Sequence, residues 1–166
     1  MLRTPLRQTS LAYIGLGSNL DQPRQQVATA LDELNALPLS RVASASRLYA
    51  SLPVGPQDQP DFVNAVAALE THLSPLALLD QLQALEQRHR RRRERNWGPR
   101  TLDLDVLLFD TTSVEHPRLQ VPHPHMHERA FVLRPLLDIA PHLHLRGQPL
   151  EHWLANLNNN DVTPLA

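Results

Sequence analysis

The sequence predicts an α/β domain of the α+β kind, a mainly antiparallel sheet with helices packed on it. Three observations carry this. Apolar patterning switches period in the order strand, helix, strand, strand, helix, strand, a split βαβ arrangement. The chain has 166 residues, 42% hydrophobic and 20% charged, which suits one domain with one core. No internal repeat or low-complexity linker divides it, so residues 11–166 are expected to form one domain behind a polar, disordered extension at residues 1–10.

Leu11–Gly17 reads as a buried first strand ending at a glycine turn. Ser18 and Asp21 are candidate caps for a helix opening near Pro23, in which Val27, Leu31, Leu34 and Leu37 recur at helical spacing until Pro38. Arg41–Ala50 reads as a second strand, and Ser51–Pro60, with three prolines and a glycine, as a loop. Asp61–Thr71 is the third strand, with Phe62, Asn64 and Val66 on one face and Val63, Ala65 and Ala67 on the other. Ser74-Pro75 caps and opens a helix that turns Leu76, Leu79, Leu82 and Leu85 inward and runs into a block of arginines. Thr101–Phe109 is the fourth strand. A proline- and histidine-rich loop follows, then helices near Glu128–Leu137 and Leu150–Leu157.

Composition excludes several classes of function. The chain lacks cysteine, so disulfides, zinc–thiolate sites and thiol catalysis are out. No apolar run approaches the roughly 20 residues of a membrane span. Met1–Ser10 is polar with no secretory hydrophobic run behind it, so the expectation is a soluble, cytoplasmic protein. All 16 basic residues are arginine, and six of them against one glutamate give Arg88–Arg95 a charge of +5. With −1 overall, the remainder carries −6. A positive block on an acidic chain implies an anionic partner or a solvated face.

Asp103-Leu104-Asp105 carries the most chemistry. On a strand these carboxylates share a face about 6.5–7 Å apart, while Leu102, Leu104 and Val106 turn to the core. Two hard oxygen ligands so placed suit Mg²⁺, which completes its shell with water and substrate phosphates; the alternative is a solvated strand face. Just upstream, Asn96-Trp97-Gly98-Pro99-Arg100 sets a guanidinium and an indole beside the acids. A guanidinium among carboxylates makes sense around a metal–polyphosphate, or else as a structural salt bridge. The indole can stack on a flat heterocycle.

The arginine block has three readings: a solvated helix end, a nucleic-acid contact, or a cover over a triphosphate. Nucleic-acid binders are usually basic overall, whereas this chain is not, and the nearby acids favour the nucleotide. Neither a Walker-type loop nor a complete Gly-x-Gly-x-x-Gly turn occurs: Leu20 stands at the third glycine position after Gly15 and Gly17, and the chain has no lysine. His123, His125 and His127 alternate with other residues. A zinc trio is one reading; one histidine on a phosphate with the others at the surface is the favoured one. Phe62 and Phe131 are either core or a stacking pair around a heterocycle.

Gly17-Ser18-Asn19-Leu20, Gly55-Pro56-Gln57-Asp58-Gln59-Pro60-Asp61-Phe62-Val63-Asn64 and Trp97-Gly98-Pro99-Arg100-Thr101-Leu102-Asp103-Leu104-Asp105 occur in that order. Through them the chain resembles the 6-hydroxymethyl-7,8-dihydropterin pyrophosphokinases of folate biosynthesis, from about Ala12 to Trp153. The resemblance implies a ferredoxin-like fold and transfer of pyrophosphate from ATP to the pterin, with AMP as coproduct. It implies that Asp103 and Asp105 hold two Mg²⁺ ions. Arg91, Arg93 and Arg100 would stabilise the transferring group, with Arg91 and Arg100 catalytic beside the acids. Gln83, Glu86, Arg118, His123 and Arg129 fall on ATP-contact positions, and Val106 would meet adenine through its backbone. Phe62 and Phe131 would sandwich the pterin. Asn64, with Ser51, Leu52 and Val54, would read its edge, and Trp97 would close over both substrates. The partners expected are ATP and the pterin, with no nucleic acid and no membrane, and the chain is expected to act as a monomer. The rival classes are a paralogue with a changed acceptor and a ferredoxin-like domain that binds RNA through Arg88–Arg95. The second lacks an aromatic platform and leaves both acids unexplained.

Overall fold

A computed structural model describes residues 9–20, 22–52, 60–91, 102–157 and 161–165. Its main sheet is built from β1 (Ser10–Ser18), β2 (Ser40–Ala45), β3 (Tyr49–Ser51), β4 (Phe62–Thr71), β5 (Asp103–Phe109) and β10 (Val162–Pro164). The order is β10-β3-β4-β1-β5, with β2 also on β4, and every pair is antiparallel. Taking β2 and β3 as one interrupted strand, this is the expected split βαβ order.

α1 (Pro23–Leu34) and α2 (Pro75–Arg91) cover one face of the sheet. Their leucines meet Ile14, Leu16, Ala65, Ala67, Leu69, Leu104 and Val106 in a buried core. α3 (Ala130–Ile139) and α4 (Leu150–Ala155) cover the other face, where Tyr49, Val66, Leu107, Leu108, Leu133, Leu136 and Leu154 form a second core. The alternation read in Asp61–Thr71 is what feeds both: odd positions from Val63 go to the first core, while Val66 goes to the second. In α2, Leu79, Leu82 and Leu85 are buried as expected and Leu78 joins them; Leu76 is half-buried. Ser74 caps this helix, its hydroxyl accepting the Ala77 amide at 3.2 Å.

Four expectations are corrected. Ser18 does not cap α1: it is still paired with Val63 in β1, and its hydroxyl donates to the Leu20 carbonyl, while Gln22 stands at the cap with φ 61°. Asp21, the other candidate, lies outside the described residues. Arg41–Ala50 is two strands, because Ser46 leaves the ladder and binds Val66 through both its amide and its hydroxyl (2.8 and 2.9 Å). The stretch before α3 is not all loop: β6 (Val114–His116) and β7 (Leu119–Val121) form a hairpin. Met126–Glu128 is a 3-10 turn, so α3 starts at Ala130 rather than Glu128. A further hairpin, β8 (His144–Leu145) with β9 (Gln148–Pro149), turns through Arg146 and Gly147, both at positive φ, as a tight two-residue turn requires.

Candidate active site

A cleft of about 540 Å³ opens where β1, β3, β4 and β5 meet the start of α3. Its floor is Gly15–Gly17 of β1. A Cβ at Gly17 would lie 3.0 Å from Asn64 Nδ2, so this glycine leaves the Asn64 amide its place. Ser51 donates its hydroxyl proton to Asn64 Oδ1 at 2.7 Å in a buried pair. That bond fixes which end of the amide accepts and leaves Nδ2 as the end that can donate. Phe62 from β4 and Phe131 from α3 line the same cleft, as does Leu52, one of two large exposed apolar side chains among the described residues.

Asp103 and Asp105 form the acidic wall, the first half-buried and the second exposed. Leu104 between them is buried in the core, as period-2 geometry demands. The Leu104 amide donates to Glu86 Oε2 of α2 at 2.8 Å, so Glu86 pins the backbone that carries both acids. Beyond them β5 bulges: Val106 pairs with Ile14 and Leu108 with Tyr13, leaving Leu107 without an opposite residue. The free Leu107 carbonyl accepts the His123 amide at 2.9 Å, which brings His123 to the end of the acidic wall. The His125 amide donates to His123 Nδ1 at 3.1 Å. Burial lowers the His123 pKa; Asp105 pulls it upward, and Arg129 and His125 push it down.

Arg129 lines the cleft with its guanidinium 5.8 Å from the Phe131 ring centre. On the neighbouring edge Arg118 reaches α2, donating to Gln83 Oε1 at 3.0 Å and Asp80 Oδ1 at 2.6 Å.

The structure thus gathers Ser51, Leu52, Phe62, Asn64, Asp103, Asp105, Arg129 and Phe131 on one cleft. Gln83, Glu86, Val106, Arg118 and His123 do not line it, although Glu86 holds the backbone between the two acids; Val106 is buried, leaving its backbone for any contact. Arg91 is the last residue of α2. Val54, Arg93, Trp97 and Arg100 lie outside the described residues. Among the polar lining residues, sequence reasoning missed His125 and Glu128, whose side chains approach at 3.5 Å. The histidine repeat was the one signal for His125, and it pointed elsewhere. The three rings do not converge: His123 and His125 centres are 6.1 Å apart, while His127 is largely buried against Trp153 at 5.1 Å rather than at the surface. Among the described residues no three acid, histidine or cysteine groups cluster to hold a metal alone. Two carboxylates facing an open cleft do fit Mg²⁺, a metal that draws the rest of its shell from water and phosphate.

A family model for 7,8-dihydro-6-hydroxymethylpterin-pyrophosphokinase (HPPK) matches residues 13–141. The chain belongs to this family. A 2-amino-4-hydroxy-6-hydroxymethyldihydropteridine pyrophosphokinase of Pseudomonas aeruginosa is 58% identical over 144 residues, 86% of this chain and 89% of its own. The protein of the same name from Haemophilus influenzae is 52% identical, over 80% of this chain and 82% of its own. Among solved structures, Plasmodium falciparum HPPK-DHPS matches with a TM-score of 0.75 over 97% of this chain at 14% identity, which speaks for the fold alone. This chain spans half the length of that one. The chain is a pyrophosphokinase of folate biosynthesis. Among the described residues no helix is long and apolar enough to cross a membrane.

Proposed function

We propose that this chain transfers the pyrophosphoryl group of ATP to 6-hydroxymethyl-7,8-dihydropterin in a magnesium-dependent reaction, with the acids of β5 at its centre. The observation that carries the reading is the convergence of the Asp103/Asp105 wall with the Phe62, Asn64 and Phe131 wall on one cleft. The chain acts as one domain, whose first strand begins at Ser10, and as a monomer.

Phe62 and Phe131 hold the flat pterin ring, and the Asn64 amide, oriented by Ser51, pairs with its edge. This leaves the hydroxymethyl group toward the acids. Asp103 and Asp105 would hold two Mg²⁺ ions, which when bound neutralise phosphate charge and polarise the attacked group. Arg129 lies where it can take phosphate charge from the α3 side, while Gln83, Glu86, Arg118 and His123 flank the ATP side. Arg91, Arg93 and Arg100 supply further positive charge, and Trp97 excludes water. The hydroxymethyl oxygen attacks the β-phosphorus in line. Its new P–O bond forms as the bond to the α-phosphate oxygen breaks, AMP leaves, and the hydroxyl proton passes to solvent. Positioning and electrostatics supply most of the rate.

AMP formation from ATP and Mg²⁺, with and without the pterin, tests the reaction. AMP released only with the pterin, alongside the pterin diphosphate, is expected; AMP release indifferent to the pterin refutes the acceptor. Asp103→Ala and Asp105→Ala are each expected to cut turnover by about 10³-fold or more with an unchanged melting temperature. Chelation of divalent metal should abolish turnover, and re-addition of Mg²⁺ restore it. Turnover retained in both variants refutes the metal assignment.

A further inference from the structure

His89 differs from the arginines around it. Arg88 is exposed and Arg90 half-buried, but the His89 ring is wholly enclosed between α2 and α1. Its Nδ1 lies 2.5 Å from Gln26 Oε1 and its Nε2 2.5 Å from Glu33 Oε1. Gln26 and Glu33 are seven residues apart on α1, two turns along one face, with the buried Ala30 between them. A carboxylate only accepts, so Nε2 donates to Glu33, while Nδ1 pairs with the Gln26 amide, a group that can offer either an acceptor or a donor. A buried imidazole is costly unless its nitrogens are bonded. Here both are engaged, and from opposite sides, so the ring is held in place rather than merely filling space. A leucine would fill such a gap between helices more cheaply. The polar solution fixes something that packing alone leaves free to slide: where the last turn of α2 sits along α1.

That last turn ends at Arg91, two residues and about 3 Å of helix rise beyond His89. We propose that His89 is a positioning residue for the reaction: clamped by Gln26 and Glu33, it fixes where the backbone of Arg91 stands at the end of α2. The inference rests on the reading of Arg91 as a phosphate-stabilising group. A misplacement of about 1 Å in a group acting on the transition state can cost up to about a hundredfold in rate, so a clamp at the root of that arginine matters to turnover more than to binding of the pterin.

The test is steady-state AMP formation by Glu33→Ala, Glu33→Gln, His89→Ala, Arg91→Ala and the Glu33→Ala/Arg91→Ala pair, each checked for folding by its melting temperature. Glu33 is partly exposed, so its variants report even where His89→Ala does not fold. Glu33→Ala is expected to lower kcat on the order of tenfold with KM for the pterin unchanged. Glu33→Gln, which keeps an acceptor oxygen, should recover most of the loss. In the Arg91→Ala background the Glu33 change should cost nothing more, because both act through one group. A kcat for Glu33→Ala within twofold of wild type, or losses that multiply with Arg91→Ala, overturns the inference alone. An Arg91→Ala enzyme as fast as wild type overturns the underlying reading of Arg91 and the inference with it.

Discussion

Ser51 and Asn64 form a buried polar pair on the wall of the cleft. The Ser51 hydroxyl satisfies Asn64 Oδ1. Removing that donor leaves a buried carbonyl unpaired, at a cost of about 1–3 kcal/mol, or lets the amide flip and present the wrong end to the cleft. Ser51→Ala is therefore expected to raise KM for the pterin about tenfold, the equivalent of about 1.4 kcal/mol, with KM for ATP little changed. Initial rates against each substrate in turn check this, and equal effects on both would refute it. Glu86 is the counterpart on the acidic side. Its carboxylate accepts the amide lying between Asp103 and Asp105, so it acts on both acids through the backbone.

At the scale of elements, a local device can be separated from the site. The Ser74 cap stands at the far end of α2 from Arg91, so Ser74→Ala is expected to cost about 1 kcal/mol of stability and to leave kcat unchanged; thermal melting and AMP assays together check it. This cap was legible because its signal is local: a serine, then proline, then periodic leucines. β5 was legible for the same reason, since alternation along seven residues already separates Asp103 and Asp105 from Leu104 and Val106. The break in Arg41–Ala50 was not legible, because Ser46 leaves the ladder for a partner 20 residues away. β10 was invisible too, three residues whose strand character comes from pairing with β3 more than a hundred positions earlier. The β6–β7 hairpin hid behind proline and histidine, although Val114, Leu119 and Val121 alternate around its turn. In the cleft, the acid pair was legible from its spacing together with the Trp97–Arg100 stretch just before it. Phe62 and Phe131 stood as either core or a stacking pair until the family resemblance favoured the second, and Glu128 had no distinctive signal at all.

Over the whole molecule, one polar network joins the sheet to the helix layer above it. Asp138 near the end of α3 accepts from the Arg47 amide and guanidinium at 3.1 Å and from the Tyr49 hydroxyl at 2.8 Å. Burial by itself would raise the Asp138 pKa, but the bonds from Arg47 and Tyr49 together hold it below the usual carboxylate value. Burial and the bond to Asp138 push the Tyr49 pKa up, against the opposing influence of Arg47. The signs follow. Asp138 contributes stability that is present above about pH 4 and lost as pH falls through its depressed folded value. Tyr49 contributes stability that is present below about pH 10 and lost as pH rises through its raised one. Asp138→Ala should lower the melting temperature at pH 7, and the gap to wild type should narrow below pH 4. A gap that stays constant into acid would refute the linkage.

The last strand has a consequence of a different kind. β10 pairs with β3 along the outer side of the sheet, and the Leu165 amide continues the contact to the Leu48 carbonyl. Without those few residues, the backbone beside Ser51 would present a row of unmet donors and acceptors to solution. Such a row is a template on which a second copy of the chain can dock as a substitute strand. A chain shortened before Val162 should therefore self-associate as its concentration rises.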